Sequence, residues 1–239
     1  MALMGLGAVA IWNDVAPEGL AEFYEWHHRE HMPERVGIPG FLRGRRYIAV
    51  RGAPEFFTLY EATGTDVLAG PHYLARLNNP TPLTRHVIPR YFHNMVRGVC
   101  GVRYSVGVGE GGWLITLRFA AKAGREDELS RHLAGALPGI NEMPTVLGVH
   151  LCVADIRAST IETSERKSHG AAVPEWLVMI ESATPDGADA ACDRLAASEL
   201  TQHGAKPEMQ RGRYQLQSAY LSPRHEDRQF PASVSISLK

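Results

Sequence analysis

The residues best equipped for chemistry crowd into one short stretch. Phe23-Tyr24-Glu25-Trp26-His27-His28-Arg29-Glu30-His31 holds three imidazoles. With Leu20 and Tyr24 they recur at the i, i+4, i+7, i+8, i+11 spacing of one helical stripe, where a core would ordinarily carry leucine. A neutral imidazole near pH 7 can take a proton from carbon beside a carbonyl, or from a phenol, and return it. Residues 27–31 also read H-x-x-E-H, a zinc pattern. Such a site needs a third ligand, none is evident, and no metal is expected.

A second set of candidates lies on a strand predicted over 41–50. Alternation sends Phe41, Arg43, Arg45 and Tyr47 to one side and Leu42, Arg46, Ile48 and Val50 to the other. Arg46 interrupts an apolar series on the helix-facing side, where a guanidinium is costly unless it meets an anion. Two readings stand: pairing with Glu22, Glu30 or Glu34, or contact with a ligand. In the second, Arg46 with Arg45 or Tyr47 holds a carboxylate or a developing oxyanion.

The elements that must position these residues occur twice. Residues 1–107 and 108–222 each read β-α-β-β-α-β, the ferredoxin-like motif, and 223–239 are a tail. Ile38-Pro39 falls on Met143-Pro144, Pro54-Glu55 on Pro174-Glu175, and Met95-x-Arg97-Gly98 on Met209-x-Arg211-Gly212. The second copy gains a segment between 155 and 173. Within each copy a strand (7–12; 113–119) leads to a helix, ended in the first copy at Met32-Pro33, then to two strands and a second helical region (66–93; 186–204). The helices cover one sheet face, so two units in one chain are expected to bury their open faces sheet to sheet, an α+β dimeric α/β-barrel.

The copies are unequal. Ala136 and Leu151 stand where the first copy has His31 and Arg46, so the first copy is the candidate active half and the second a degenerate one. Most aromatic residues and about half the arginines lie in the first copy, which has no lysine.

Net charge −1 and a pI near 6.8 argue against nucleic acid or an anionic membrane surface as partner. No stretch is long and apolar enough for a membrane span. Cys100, Cys152 and Cys192 fit neither a disulfide framework nor a zinc knuckle, and a cytoplasmic protein is expected. No phosphate loop or nucleophile elbow occurs.

Phe23 to Pro33, followed by Ile38-Pro39-Gly40-Phe41 and Arg46-Tyr47, resembles the EthD-like branch of the dimeric α/β-barrel superfamily. Members often carry a helix ending in His-x-Pro and then a Pro-Gly turn into the second strand. The resemblance covers the first copy well and the second in outline. It implies a cleft lined by His31. The superfamily includes muconolactone isomerases, polyketide cyclases, cofactor-free monooxygenases and haem enzymes, and typical members form the barrel as a homodimer of single units.

The expected function is cofactor-independent proton transfer of isomerase, cyclase or lyase type on a small aromatic, lactone or polyketide-like carboxylic acid. His31 is the catalytic residue, and His27, Arg45, Arg46 and Tyr47 contact the substrate. The alternatives are a cofactor-free monooxygenase, a non-catalytic small-molecule-binding module, and a haem protein ligated through His31, His27 or His93. A homo-oligomer is compatible with each.

Overall fold

The computed structural model describes residues 2–168 and 172–223. Its eight strands are β1 (Gly7–Val15), β2 (Phe41–Arg51), β3 (Phe56–Ala62), β4 (Phe92–Gly107), β5 (Trp113–Phe119), β6 (Val146–Ala154), β7 (Trp176–Ser182) and β8 (Gln210–Leu221). They close into an antiparallel barrel in the order β1-β3-β2-β8-β5-β7-β6-β4. Around that ring, β4-β1-β3-β2 and β8-β5-β7-β6 are two sets with the same ferredoxin-like order. The sets face each other across the barrel interior, where Trp12, Tyr47 and Phe57 of one pack with Leu177, Met179 and Tyr214 of the other. They also join edge to edge, β2 with β8 and β4 with β6, which leaves no strand edge open.

The ladders match place by place. Arg97 lies opposite Ile11 as Arg211 lies opposite Leu117. Arg43 faces Glu61 as Gly148 faces Glu181, each just after a register shift in its strand.

Both faces of the wall are covered, so β3 and β7 are buried at every position. Inward residues such as Trp12, Tyr47, Phe57, Leu59, Met179 and Tyr214 fill the barrel. Outward residues pack under helices. In the second unit the helix Glu126–Asn141 lays Leu129, Leu133 and Leu137 on Val149, Val178 and Ile180. Burial of each such side chain stabilises by roughly 1.5–3 kcal/mol.

The first helix departs from the predicted pattern. Its buried stripe runs through Phe23, Trp26, His27, His31, Met32 and Arg35, with Leu20, Tyr24 and His28 half-buried at its flank. Nor does it stop at Met32-Pro33. The α-helix Leu20–Trp26 passes into a π-turn, His27–His31, and resumes as Met32–Val36. The Met32 N–H bonds the His27 carbonyl, the wider π register, so Pro33 falls in the first turn of the resumed segment, where its missing N–H is tolerated. The His28 carbonyl is met by the Tyr220 hydroxyl of β8 at 3.2 Å. The chain then turns at Pro39-Gly40, where Gly40 has φ +90° and a Cβ would strike Val67.

The second helical region of the first unit is three short helices, Thr65–Leu68, Pro71–Asn78 and Pro82–Tyr91, broken at prolines. That of the second is two, Pro185–Asp193 and Ala197–Gln202. β4 begins before Arg97-Gly98 and runs through it. The extra segment of the second half is not a free loop: Ile156–Ser159 and Ser164–Ser168 are helical, and it packs on the first unit. Ser159 Oγ accepts from the Val99 N–H at 2.9 Å, and Ala172 accepts from the Arg97 N–H at 2.8 Å. The expected tail lies outside the described residues except at residue 223. No helix among the described residues is long and apolar enough to cross a membrane.

Residues 1–107 expressed alone would present β2 and β4 as unpaired edges and the apolar barrel lining to solvent. We expect that fragment to associate or aggregate, as read by sedimentation velocity; a soluble monomer would contradict the shared barrel.

Candidate active site

The outer face of β1, β3 and β4 and the π-turn above it enclose a narrow cleft of about 30 Å3. Apolar walls come from Ile11, Trp26, Ile88, Phe92 and Met95. Polar groups come from Asn13, His27, His31, Thr58, Tyr60, Arg97 and, on the extra segment of the second half, Glu165. Sequence reasoning singled out His27 and His31 from this set and missed the others.

His31 is 5% exposed, packs on Trp26 with ring centroids 4.3 Å apart, and stacks on His27 at 5.6 Å. Its Nδ1 is buried with no hydrogen-bond partner. Burial first, then the neighbouring Arg35 cation and His27, hold its pKa well below the ordinary histidine value. At neutral pH it is an uncharged imidazole with a nitrogen lone pair to offer. The Tyr60 hydroxyl is likewise buried and unpartnered, and burial pushes its pKa up.

His27 is fixed differently. Arg46 Nη1 donates to His27 Nδ1 at 3.1 Å. A guanidinium only donates, so His27 Nδ1 accepts and the ring proton sits on Nε2. Arg46 also bonds His28 Nε2 and Gln217 Oε1, the latter at 3.0 Å, and lies over the Tyr24 ring at 4.8 Å. Burial, and next the Arg46 charge, lower the pKa of both His27 and His28.

Arg46 is thus on the helix side, as alternation required, but its partners are histidines rather than the anticipated carboxylates. Glu22 takes the Tyr91 hydroxyl, Glu30 takes Thr81, and Glu34 pairs with Arg35. Arg45 and Tyr47 are not with Arg46. Adjacent strand residues face opposite ways, and both point into the barrel. There Arg45 pairs with Glu61 at 3.1 Å and Glu181 at 2.7 Å, and Tyr47 joins the interior packing.

The second unit has no counterpart. By ladder register Phe119, Val178 and Ile180 stand at the places of Asn13, Thr58 and Tyr60, and all three belong to a continuous apolar core with Leu133 and Leu137.

Arg46→Leu is expected to free His28 to titrate closer to 6.5 and to release the His27 tautomer. Histidine 15N NMR against pH reads both; unchanged His28 titration would contradict the coupling.

Among the described residues no three His, Cys, Asp or Glu side chains stand as a metal site. For haem, the donors fit poorly. His31 is packed against Trp26 and stacked on His27, His27 Nδ1 is engaged by Arg46, and His93, exposed on β4, does not line the cleft.

No protein-family model and no curated protein matches the sequence. Solved structures do resemble it. An anthrone oxidase-like protein aligns over 91% of this chain and 93% of its own at TM-score 0.65 and 11% identity. A Fusobacterium nucleatum protein assigned as a monooxygenase aligns over 92% and 96% at TM-score 0.60 and 9% identity. A Lactobacillus acidophilus protein with the same assignment aligns over 91% and 97% at TM-score 0.57 and 9% identity. At these identities the likeness is one of architecture, and with the closed eight-stranded ring and its paired ferredoxin-like sets it establishes that the chain has the dimeric α/β-barrel fold.

Proposed function

We propose that this chain is an enzyme that moves a proton on a small, largely apolar organic molecule without a cofactor, with His31 as the proton acceptor. The observation that carries this reading is the unpartnered Nδ1 of a buried, neutral His31 in a cleft where, among the described residues, the other unpartnered buried polar atom is the Tyr60 hydroxyl. A C–H proton beside a carbonyl, or a phenol O–H proton, passes to His31 to give an imidazolium and an enolate or phenolate. Return of the proton to another atom completes an isomerisation or cyclisation. His27 Nε2–H, held in one tautomer by Arg46, is a donor for the developing oxygen charge, so Arg46 is a positioning residue acting through His27.

On this reading the chain is an internally duplicated member of the EthD-like branch, with the site in residues 1–107 and a degenerate copy in 108–222. The barrel that typical members build from two chains closes within one, so a homo-oligomer is not needed to complete it. Three buried free cysteines agree with a reducing, cytoplasmic setting.

The second reading, cofactor-free oxygenation, starts from the same proton transfer. Its support is the aromatic cleft wall and the likeness to an anthrone oxidase-like fold. Deprotonation of an activated ring CH2 gives a carbanion that O2 can oxidise; the CH2 becomes a carbonyl and the second oxygen atom leaves as water.

Incubating the protein with a panel of ketones, lactones and polyphenols in D2O, followed by 1H NMR and oxygen-electrode readings, tests both. Enzyme-dependent exchange at one carbon without O2 uptake supports the first, exchange with O2 uptake supports the second, and neither in any compound contradicts proton transfer.

A further inference from the structure

Arg97 is a cation on the cleft wall that the chain itself leaves without an anion. It is half-buried on β4, its Nη2 donates to the Tyr73 hydroxyl at 2.9 Å, and its guanidinium lies 5.9 Å from the Tyr73 ring. Among the described residues it forms no ion pair, and no other side-chain hydrogen bond of its guanidinium is present.

Its counterpart shows what the fold does with this arginine when it has only a structural task. Arg211 occupies the same ladder position in the second unit. There the guanidinium is saturated by Asp189 at 2.5 Å and Asp193 at 2.5 Å, both from the helix Pro185–Asp193. In the first unit the helix that follows β3 as Pro185–Asp193 follows β7 is Thr65–Leu68, and Arg97 meets instead the uncharged Tyr73 hydroxyl of Pro71–Asn78. One arginine has two carboxylates, the other has none and opens on a cleft. A guanidinium partly removed from water gains most from a charge-assisted, bidentate anion.

We propose that Arg97 is the anion-binding residue of the cleft and that the substrate carries a carboxylate, or an oxygen that is negative when bound, at the end opposite the proton taken by His31. This rests on the proposed proton-transfer reading for its second half only; anion binding stands on the arginine and the cleft. Glu165 also lines the cleft but does not compete with the ligand for Arg97, because it is held by Arg35 at 2.6 Å. That contact makes the extra segment of the second half one wall of the anion pocket. The role expected of Arg46 from sequence thus passes to Arg97, since Arg46 is engaged by His27 and His28.

The test is calorimetric titration of the full-length protein at pH 7 with two matched pairs, acetate against acetamide and benzoate against benzamide. Arg97→Gln, Arg211→Gln and His31→Gln variants are checked for folding by circular dichroism. Wild type is expected to prefer the carboxylate of at least one pair by tenfold or more. Arg97→Gln is expected to lose that preference, and Arg211→Gln to keep it. Absence of a carboxylate preference in both pairs, or its survival in Arg97→Gln, overturns the proposal. His31→Gln separates the two claims: it is expected to retain carboxylate binding, so that loss of anion preference in Arg97→Gln supports the anion site even if His31 proves irrelevant to turnover.

Discussion

His31→Ala is expected to lower kcat by about 10²–10⁴-fold with KM little changed, the loss typical of removing a positioned general base. The expectation follows from the differing states of the three histidines on one turn. His27 and His28 both accept from Arg46, which leaves neither free to take a proton on that nitrogen. His31 alone of the three has a buried nitrogen with no partner. His132→Ala is the matched control. That ring stacks on His203 at 4.1 Å on the outside of the second unit, and its loss is expected to leave turnover near wild type. The pH dependence is informative too. Burial and Arg35 depress the His31 pKa, so the base stays unprotonated into mild acid. The acid limb of kcat/KM is expected below pH 6.5, lower than an exposed histidine would give. A limb above 6.5 would assign the base to another group.

The second large effect concerns stability. At one end of the barrel Arg43 and Arg45 meet Glu61, and Arg45 also meets Glu181, with all four side chains at most 1% exposed. Glu181 further accepts from His150 at 3.2 Å and from the Gly111 N–H at 3.1 Å. Burial alone would raise the Glu181 pKa, but Arg45 and His150 hold it far below the usual carboxylate range. Removing one partner strands a buried charge on the other. Glu181→Leu is therefore expected to destabilise by about 3–5 kcal/mol in urea unfolding at pH 7. A change under about 1 kcal/mol would mean that water reaches this network.

Acid acts on the same barrel through histidine. His27 and His31 have folded pKa values below that of an unfolded histidine, 6.5, so the unfolded chain binds protons first. Their contribution is complete above pH 6.5 and declines as the pH falls from there toward their folded values. The slope is about 1.4 kcal/mol per pH unit for each histidine.

Much of the fold was legible because both units bury their strands and space their prolines alike. The places of β2, β3, β6 and β7 follow, to within a residue, from apolar runs that begin just after Pro39-Gly40, Pro54-Glu55, Pro144-Thr145 and Pro174-Glu175. The site was legible in part. Replacement of His31 and Arg46 by Ala136 and Leu151 pointed to the half that carries the cleft lined by His27, His31 and Tyr60, and alternation put Arg46 on the helix side. The same alternation separates Arg45 and Tyr47 from it, and grouping the three overrode that parity. The π-turn was not legible: nothing in His27–His31 marks an extra residue per turn, and Pro33 read as a stop because an α register would make it one. Arg97 was visible in the repeated Met-x-Arg-Gly. Its meaning lay in the contrast between the uncharged Tyr73 hydroxyl that meets it and the Asp189 and Asp193 carboxylates that meet Arg211, a contrast only the structure shows. Asn13, Thr58 and Tyr60 carried no signal beyond being polar on a helix-facing strand side, where their counterparts are Phe119, Val178 and Ile180.

The central claim is that His31, on the cleft wall, is a neutral base with a buried, unpartnered ring nitrogen. Imidazole 15N NMR of the intact protein, with His31 assigned through the His31→Gln variant, reads that state directly. At pH 6 the expected spectrum has one protonated and one unprotonated His31 nitrogen, with the unprotonated resonance moving when a cleft ligand such as benzoate is added. A His31 that is already an imidazolium at pH 6, or whose nitrogens ignore every ligand that binds, would contradict it.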